Sequence, residues 1–278
     1  MTVRRKKKFS VGRVLCFFLL CVLAVIMLYP LFTIVNISLK TYTDYLKDPL
    51  GPVMSPTLDN FETVWDSMNV LPTTLNTLLL TFITCALNAA ICMLAAFPIG
   101  RNYFRGTNKL YTFILASMFF PTSLVATISL VQSLGIYGTS AGLVAVWTAG
   151  SLQLNTFMLV GFVKGLPRDL DEAAFIDGCG YFRYLFTIAA PLMMPIIATI
   201  VVLKAIGCWN DFLNPFIYMG NAEVKTLSTG LYLYMGQFAS KWNLLSAAIF
   251  IVAAPMVVLY IFMQRFIIAG MTSGALKG

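Results

Sequence analysis

The chain has 278 residues, of which 59% are hydrophobic and only 11% are charged, and its formal net charge is +8. A soluble globular domain has about 45–50% apolar and about 25% charged residues, so this composition excludes an ordinary soluble enzyme and a disordered or fibrous protein. The sequence also contains no histidine, which removes the commonest general base, proton relay and neutral metal ligand. We therefore predict an all-α membrane protein.

Six apolar stretches are long enough to cross a bilayer, which takes about 20 residues of helix. In chain order they are residues 14–38, 72–100, 110–133, 141–163, 187–206 and 244–266. The first follows a basic segment, as in a signal peptide, but its apolar run is too long and no small-residue cleavage site follows it. We predict that it stays in the protein, which gives six transmembrane helices.

Lysine and arginine are concentrated on one side of these stretches. They occur at the N terminus, in the loops after the second and fourth stretches, and in the C-terminal tail, whereas the other loops carry most of the acidic residues. Because basic loops stay in the cytoplasm, the pattern places both termini there. The expected organisation is a basic N terminus (1–13), a transmembrane domain (14–266) and a cytoplasmic tail (267–278).

Two external loops are long enough to contact another protein. The first, residues 40–71, is acidic and rich in proline, aspartate and threonine. The second, residues 207–243, begins with a polar and aromatic group that includes Trp209, Asp211 and Asn214. No internal repeat is evident in the sequence, which disfavours a secondary transporter built from inverted repeats.

The cytoplasmic loop 164–187 carries the most informative local pattern. Asp169 is followed three residues later by Glu172, as in a capping box, and Gly178 can supply a left-handed C-terminal residue. The segment between them predicts a short helix with two alanines on one side. Because a helix this short is marginal alone, it is either a docking element for another surface or an ordinary connector.

Polar side chains inside the apolar stretches are costly and tend to face the interior of a helix bundle. Asn88, Gln153 and Asn155 are candidates either to line a pathway or to hydrogen-bond neighbouring helices. Lys204 either extends toward the outer surface or pairs within the complex, with Asp211 as a candidate partner.

Two prolines, Pro191 and Pro195, lie near the start of the fifth stretch. Proline removes a helix hydrogen bond and kinks a helix, so the pair predicts a bent start just after the loop. Such a bend could pass motion of the loop into the fifth helix. For Pro191 alone, a simple helix start is an equal alternative.

Patterns that could indicate covalent chemistry in this chain have simpler explanations. Residues 138–142 fit the G-x-S-x-G pattern of serine nucleophiles. A serine hydrolase also needs a base beside the serine, and the chain has no histidine and no lysine near Ser140 in sequence. We interpret the segment as a turn, and the six cysteines as small apolar side chains rather than disulfides or metal ligands.

The spacing of several residues in the cytoplasmic loop resembles the EAA motif of ABC importer permeases. Glu172, Ala173 and Ala174 are followed at the family's spacing by Gly178, Ile188 and Pro191. Ala190 stands where leucine is usual, a departure that concerns helix packing rather than docking. The tail 264–278 and the external segment 209–212 resemble the carbohydrate permeases of that family, and the resemblance covers nearly the whole chain.

This resemblance implies the fold of a type I ABC importer permease and a function in ATP-driven import of a sugar or oligosaccharide across a bacterial inner membrane. The chain would form half of the pathway beside a second, different permease, with two ATPase subunits on the cytoplasmic side and a solute-binding protein outside. It would catalyse no reaction itself and bind no nucleic acid. The sequence contains no G-x-x-x-x-G-K-[ST] loop, so ATP and its Mg²⁺ belong to the ATPase subunits.

The resemblance also assigns residues to these contacts. The ATPase contact in the loop involves Asp169, Glu172, Ala173, Ala174, Asp177 and Gly178. A second ATPase contact involves Gly270, Thr272, Ser273 and Gly274 in the tail. The contact with the solute-binding protein involves Trp209, Asn210, Asp211 and Asn214. No residue is expected to bind a metal.

Two other functions are compatible with the sequence. A self-sufficient secondary transporter or channel would need coupling-ion sites in the membrane, and the few ionisable residues there, chiefly Lys204, argue against proton coupling. An ABC permease for another solute, such as a polyamine, fits the same motif.

Overall fold

The computed structural model describes residues 11–220, 222, 225–235 and 241–275, and these residues form helices and no β-strand, as the composition predicts. In chain order the α-helices are α1 (Val11–Ser38), α2 (Tyr42–Lys47), α3 (Asp59–Ser67), α4 (Val70–Arg101), α5 (Thr107–Ser117), α6 (Leu124–Ser133), α7 (Ser140–Ala149), α8 (Leu152–Lys164), α9 (Asp169–Ile176), α10 (Tyr181–Tyr184), α11 (Ala190–Asn210), α12 (Leu213–Tyr218), α13 (Tyr232–Met235) and α14 (Trp242–Ala275). A π-helical turn, Leu185–Ala189, lies between α10 and α11, and a 3₁₀ turn, Ser228–Leu231, precedes α13.

Three helical segments are long and apolar enough to cross a membrane. They are Val14–Ser38 within α1, the whole of α4, and Tyr181–Asn210, which joins α10, the π turn and α11. The pair α7 and α8 passes the same test only as one span that is bent by 46°. The described residues thus contain three or four such spans, and the predicted number of six is not confirmed.

The predicted third stretch, 110–133, is broken into α5 and α6. Pro121 lies in the break, and a proline disfavours the helical conformation of the residue before it, here Phe120. Helix α6 then starts afresh, with the hydroxyl of Ser123 accepting a hydrogen bond from the backbone N–H of Ala126 at 3.4 Å. Because this proline scarcely lowers the mean hydropathy of the stretch, the sequence predicts one continuous helix there.

The chain divides into two compact units. The first comprises Met1–Met68 and Leu231–Ala253, and the second comprises Asn69–Gly230 and Ala254–Gly278. In the first unit, the most apolar part of α1 is not buried within the chain at all. A helix that is apolar all round needs cover from lipid or from another chain, which agrees with its prediction as a membrane span.

Polar contacts hold the loop that follows α1 in the first unit. The ammonium of Lys40, a residue only 3% exposed, donates hydrogen bonds to the carbonyls of Asp48 at 2.7 Å and Gly51 at 2.6 Å. The side-chain amide of Asn60 donates to the carbonyls of Ser38 and Lys40, both at 2.8 Å. The first predicted external loop is therefore a folded segment with a defined surface.

The core of the second unit lies where α4 packs against α8 and α11. Fully buried side chains of the three helices include Phe97, Leu159 and Met193. Gly100 permits a close approach of α8, because a Cβ at this residue would lie 2.6 Å from Cγ1 of Val163. This packing fixes the end of α4, where the candidate site is built.

Helix α14 runs to Ala275, past residue 266 where the last predicted stretch ends. The tail residues expected at an ATPase, Gly270, Thr272, Ser273 and Gly274, lie in its final turns. Residues 276–278 of the tail and residues 1–10 of the basic N terminus lie outside the described residues.

Candidate functional site

The helix predicted in the cytoplasmic loop is α9. Its N-cap residue is Arg168, whose side chain makes no capping bond, so the predicted capping box of Asp169 and Glu172 is wrong. The helix starts one residue earlier than that motif requires, and Asp169 lies in the first turn instead. Together with Asp171 and Glu172, it still stabilises α9 by interaction with the positive N-terminal end of the helix.

Gly178 ends the helix, as predicted. Its φ of 68° lies in the left-handed region, which glycine adopts without strain. Its N–H donates to the carbonyl of Phe175 at 3.1 Å, and the N–H of Cys179 donates to that of Ala174 at 2.9 Å. These two bonds form a Schellman motif, which satisfies carbonyls in the last turn of α9.

The exposed surface of α9 is apolar at its C-terminal end. Phe175 is 85% exposed and Ile176 is 83% exposed, whereas Ala174 is 6% exposed and packs into the core of the second unit. Glu172 and Ala173 are exposed beside them. Only one of the two alanines therefore faces outward, and the sequence analysis missed the two bulky side chains that do so. Adjacent exposed apolar side chains mark a surface that contacts either another protein or the membrane.

A buried arginine that the sequence analysis also missed holds α9 in place. Arg101 is the last residue of α4, and its side chain is 4% exposed. Its Nε lies 3.0 Å from Oδ2 of Asp171, and its two terminal nitrogens donate to the carbonyls of Leu166 at 2.9 Å and Pro167 at 3.2 Å. One planar guanidinium thus binds both α9 and the segment in front of it.

Asp171 is shared with a second helix. Its Oδ1 accepts a hydrogen bond from the hydroxyl of Tyr184, the buried last residue of α10. Tyr184 also packs against Phe97 of α4, with the two ring centroids 5.6 Å apart. Helix α9 is therefore tied to both α4 and α10.

A cleft of about 470 Å³ lies beside α9. Its lining includes the rings of Tyr103, Phe175 and Tyr181 and the side chain of Glu172. Burial raises the pKa of the Tyr103 phenol, and the nearby carboxylate of Asp171 raises it further, so Tyr103 is neutral at physiological pH. The cleft extends the apolar surface that Phe175 begins.

The segment between α10 and α11 departs from regular α-helix. The N–H of Ala190 donates to the carbonyl of Leu185, five residues back, and the turn Leu185–Ala189 is π-helical. Pro191 follows in the first turn of α11 and has no N–H to donate, so the widened turn adjoins an interrupted hydrogen-bond ladder. The structure thus places a π turn where the sequence predicts a bend, and Pro195 lies within α11.

Two of the three candidate pathway amides are packed between helices. Asn88 of α4 is 1% exposed and donates to the carbonyl of Thr148 and the hydroxyl of Ser151, both at 3.0 Å. Its side-chain oxygen accepts from the buried amide of Asn155 at 2.6 Å. These bonds join α4 to the break between α7 and α8, which favours a helix-packing role for both residues. Gln153 is half-buried.

The polar group after α11 is engaged within the chain. Asp211 accepts a hydrogen bond from the indole N–H of Trp147 at 2.7 Å and from the side-chain amide of Asn214 at 2.6 Å. Trp209 is buried, whereas Asn210 is exposed. Of the four residues expected to contact a solute-binding protein, Asn210 therefore offers the most accessible side chain.

The ammonium of Lys204 binds a backbone carbonyl rather than the carboxylate of Asp211. It donates to the carbonyl of Trp147, which lies in the last turn of α7. A cation is favourable at this end of a helix because the helix dipole is negative there. Within the chain, the partner of Lys204 is thus the backbone of α7.

The G-x-S-x-G segment begins as the predicted turn, at residues 138 and 139, and continues into the first residues of α7. Gly138 has a φ of 79°, and the hydroxyl of Thr139 caps α7 by accepting from the N–H of Gly142 at 3.2 Å. A Cβ at Gly142 would lie 2.3 Å from the carbonyl oxygen of Ile136. The two glycines therefore serve backbone geometry. The six cysteines are free thiols.

Comparison with known proteins identifies one family over most of the chain. The family described as the binding-protein-dependent transport system inner membrane component matches residues 91–273. The matched range contains Arg101, α9 and the α10–α11 segment, which are the parts from which the candidate site is built.

Several curated relatives match nearly the full length. The melibiose/raffinose/stachyose import permease protein MelC of Bacillus subtilis is 31% identical over 252 residues, which cover 90% of this chain and 91% of that protein. The sulfoquinovosyl glycerol transport system permease protein SmoH of Agrobacterium fabrum is 31% identical over 273 residues, or 97% and 96% of the two chains. The trehalose/maltose transport system permease protein MalG of Thermococcus litoralis is 30% identical over 261 residues, or 92% and 94%.

A solved structure shares the fold. It is a chain of a bacterial ABC transporter involved in the import of the acidic polysaccharide alginate, with a TM-score of 0.79 over 94% of this chain and 99% of that chain. The two sequences are 19% identical, so this likeness shows the fold alone, that of an ABC importer permease.

Proposed function

The chain belongs to the family of binding-protein-dependent transport system inner membrane components, and we propose that it is a permease subunit of an ATP-driven ABC importer for a sugar or oligosaccharide. The observation that carries the proposal is the exposed tip of α9, formed by Phe175 and Ile176, on a helix that Arg101 and Asp171 fix to the spanning helix α4. The names of the relatives refer to melibiose, raffinose, stachyose, sulfoquinovosyl glycerol, trehalose and maltose, which supports a sugar as the solute.

Six membrane crossings with both termini in the cytoplasm belong to this proposal. The crossings are α1, α4, the broken pair α5 and α6, the bent pair α7 and α8, the α10–α11 segment, and α14. The concentration of lysine and arginine at the termini and in the loops after the second and fourth crossings supports this orientation. Helix α9 then lies on the cytoplasmic side, and the segment after α11 lies outside.

In this arrangement α9 docks on an ATPase subunit. Its exposed side chains Glu172, Phe175 and Ile176, followed by Asp177, form the contact surface. Ala174 faces the core of its own chain and holds the helix rather than touching the partner. Burying a large apolar side chain such as Phe175 contributes about 1.5–3 kcal/mol, so two of them give a short helix a substantial contact.

The energy for transport comes from the partners of this subunit. ATP and Mg²⁺ bind to two ATPase subunits, since the sequence contains no phosphate-binding loop. A second permease completes the pathway, and a solute-binding protein meets the outer side near Asn210. The end of α14, residues 270–274, reaches the ATPase subunits.

The test is purification of the tagged chain after expression with its neighbouring genes. We expect an ATPase chain to co-purify with the wild type, and we expect Glu172→Lys to lose that chain or its solute-stimulated ATP hydrolysis, because the change reverses a charge on the docking surface. Glu62→Lys makes the same change at an exposed residue of α3, in the first external loop, and is the matched control, which should retain the ATPase chain.

Two results would contradict the proposal. If no ATPase chain associates and the isolated chain moves solute into vesicles without ATP, the protein is a secondary transporter or channel. If the ATPase associates but uptake responds to a polyamine and not to oligosaccharides, the importer is correct and the proposed solute is wrong.

A further inference from the structure

The guanidinium of Arg101 is the point where three segments meet. Arg101 is the last residue of α4. Its Nε lies 3.0 Å from Asp171 in the first turn of α9, and its terminal nitrogens donate to the carbonyls of Leu166 and Pro167. Asp171 in turn accepts a hydrogen bond from Tyr184 at the end of α10. Direct polar contacts therefore run from α4 through α9 to the segment that leads into α11.

Helix α9 depends on these contacts for its orientation. It has eight residues, and isolated helices shorter than about 12–15 residues are marginal in water. The one residue of α9 that is buried is Ala174, a small side chain with little surface to pack. The position of α9 relative to α4 and α11 is thus set largely by the contacts of Arg101 and Asp171.

A lysine cannot reproduce these contacts. The guanidinium is a planar fork that binds a carboxylate and two carbonyls at the same time, whereas an ammonium is a compact charge on a flexible stem. A lysine at residue 101 would keep the positive charge near Asp171 but would lose the fixed geometry toward Leu166 and Pro167. Arg101→Lys therefore distinguishes the effect of the positive charge from the effect of the fixed geometry of the guanidinium.

We propose that Arg101 is a positioning residue for transport, which makes α4, α9 and the α10–α11 segment move together. Motion that an ATPase applies to α9 then reaches two spanning helices. The inference rests on the proposed docking of α9. When the contacts of Arg101 are lost, α9 stays bound to the ATPase but shifts against α4, so ATP is hydrolysed with less transport.

The test is the amount of solute transported per ATP hydrolysed, measured with the whole complex in vesicles together with the amount of ATPase bound. In Arg101→Lys the ATPase stays bound and transport per ATP falls roughly tenfold, the scale of one charge-assisted hydrogen bond. Tyr184→Phe keeps the ring and removes one hydroxyl, so it causes a smaller fall. Arg105→Lys, the same change at an exposed arginine four residues on, leaves the ratio unchanged.

The outcomes separate positioning from stability. A merely structural role would lower the yield of complex and leave the transport per ATP of the surviving complex at the wild-type value, which overturns the proposal. If Arg101→Lys yields no complex, Tyr184→Phe provides the test. An unchanged amount of solute transported per ATP in that variant overturns the proposal. Absence of an ATPase chain from the wild-type preparation contradicts the proposed function, and this inference falls with it.

Discussion

Two aspartates that contact opposite ends of the α10–α11 segment are bound in different ways. Asp171 contacts Tyr184, just before the π turn that leads into α11, and forms an ion pair with Arg101. Asp211 is the C-cap residue of α11 and accepts hydrogen bonds from neutral donors, including the indole of Trp147. The first contact fixes a short exposed helix through a buried charge, and the second closes a helix end with ordinary hydrogen bonds.

This difference determines which end of the α10–α11 segment tolerates substitution. Removing one partner of a buried ion pair leaves an uncompensated charge, at a cost of about 3–5 kcal/mol. Removing an acceptor from neutral donors leaves those donors unpaired, at a cost of about 1–3 kcal/mol. A neutral amide oxygen can replace an acceptor but cannot replace a counter-charge. The end that carries α9 is therefore the less tolerant one.

The largest effect is expected for Asp171→Ala. The change leaves the guanidinium of Arg101, whose side chain is 4% exposed, without its counter-charge. Because Asp171 itself is 22% exposed, we expect a loss near the low end of the range, about 3 kcal/mol, in the free energy of unfolding measured by denaturant in detergent. Asp169→Ala removes an exposed aspartate from the same turn and is the control. Equal stability of the two variants would mean that the ion pair does not hold α9.

A smaller loss, about 1–2 kcal/mol in the same measurement, is expected for Asp211→Ala, because the indole N–H of Trp147 loses its acceptor. The two asparagine variants sharpen the comparison. Asp211→Asn should recover most of the stability, since its amide oxygen can accept from Trp147. Asp171→Asn should recover little, since it offers Arg101 no charge. A similar recovery of stability in both asparagine variants would show that charge is not what distinguishes the two ends.

The local features of α9 could be predicted from the sequence, whereas its contacts could not. Gly178 is a local signal, because a positive φ at a helix end favours glycine whatever surrounds it. Arg101 is 65 residues from Leu166, whose carbonyl it binds, and Trp147 is 64 residues from Asp211. The sequence around one member of such a pair does not indicate which distant residue it will contact, so these pairs can be identified only from the packed structure.

The orientation of α9 could not be predicted from the sequence for a related reason. Helical periodicity shows which residues share a face but not which face the rest of the chain covers. Because Ala174 packs into the core, Phe175 and Ile176 point outward. The break between α5 and α6 is a different case, since Pro121 is a visible signal that the mean hydropathy of the stretch outweighs.

The smallest effect is expected for Lys204→Met. The ammonium binds the carbonyl of Trp147 in the last turn of α7, and a cation at this end of a helix contributes about 0.3–1 kcal/mol. Methionine removes that contribution and also the cost of holding a charge away from water. We therefore expect the free energy of unfolding, measured by denaturant in detergent, to change by at most about 1 kcal/mol.

Arg101→Met is the counterpart of this change near the start of the α10–α11 segment, which Arg101 reaches through Asp171. It removes the counter-charge of Asp171 and the donor to the carbonyls of Leu166 and Pro167, so its loss of stability should exceed that of Lys204→Met. A loss at Lys204 as large as that at Arg101 would show that both ends of the α10–α11 segment depend on a charged side chain. The two ends would then differ only in the acceptors that the charge binds, a carboxylate and two backbone carbonyls at one and a single backbone carbonyl at the other.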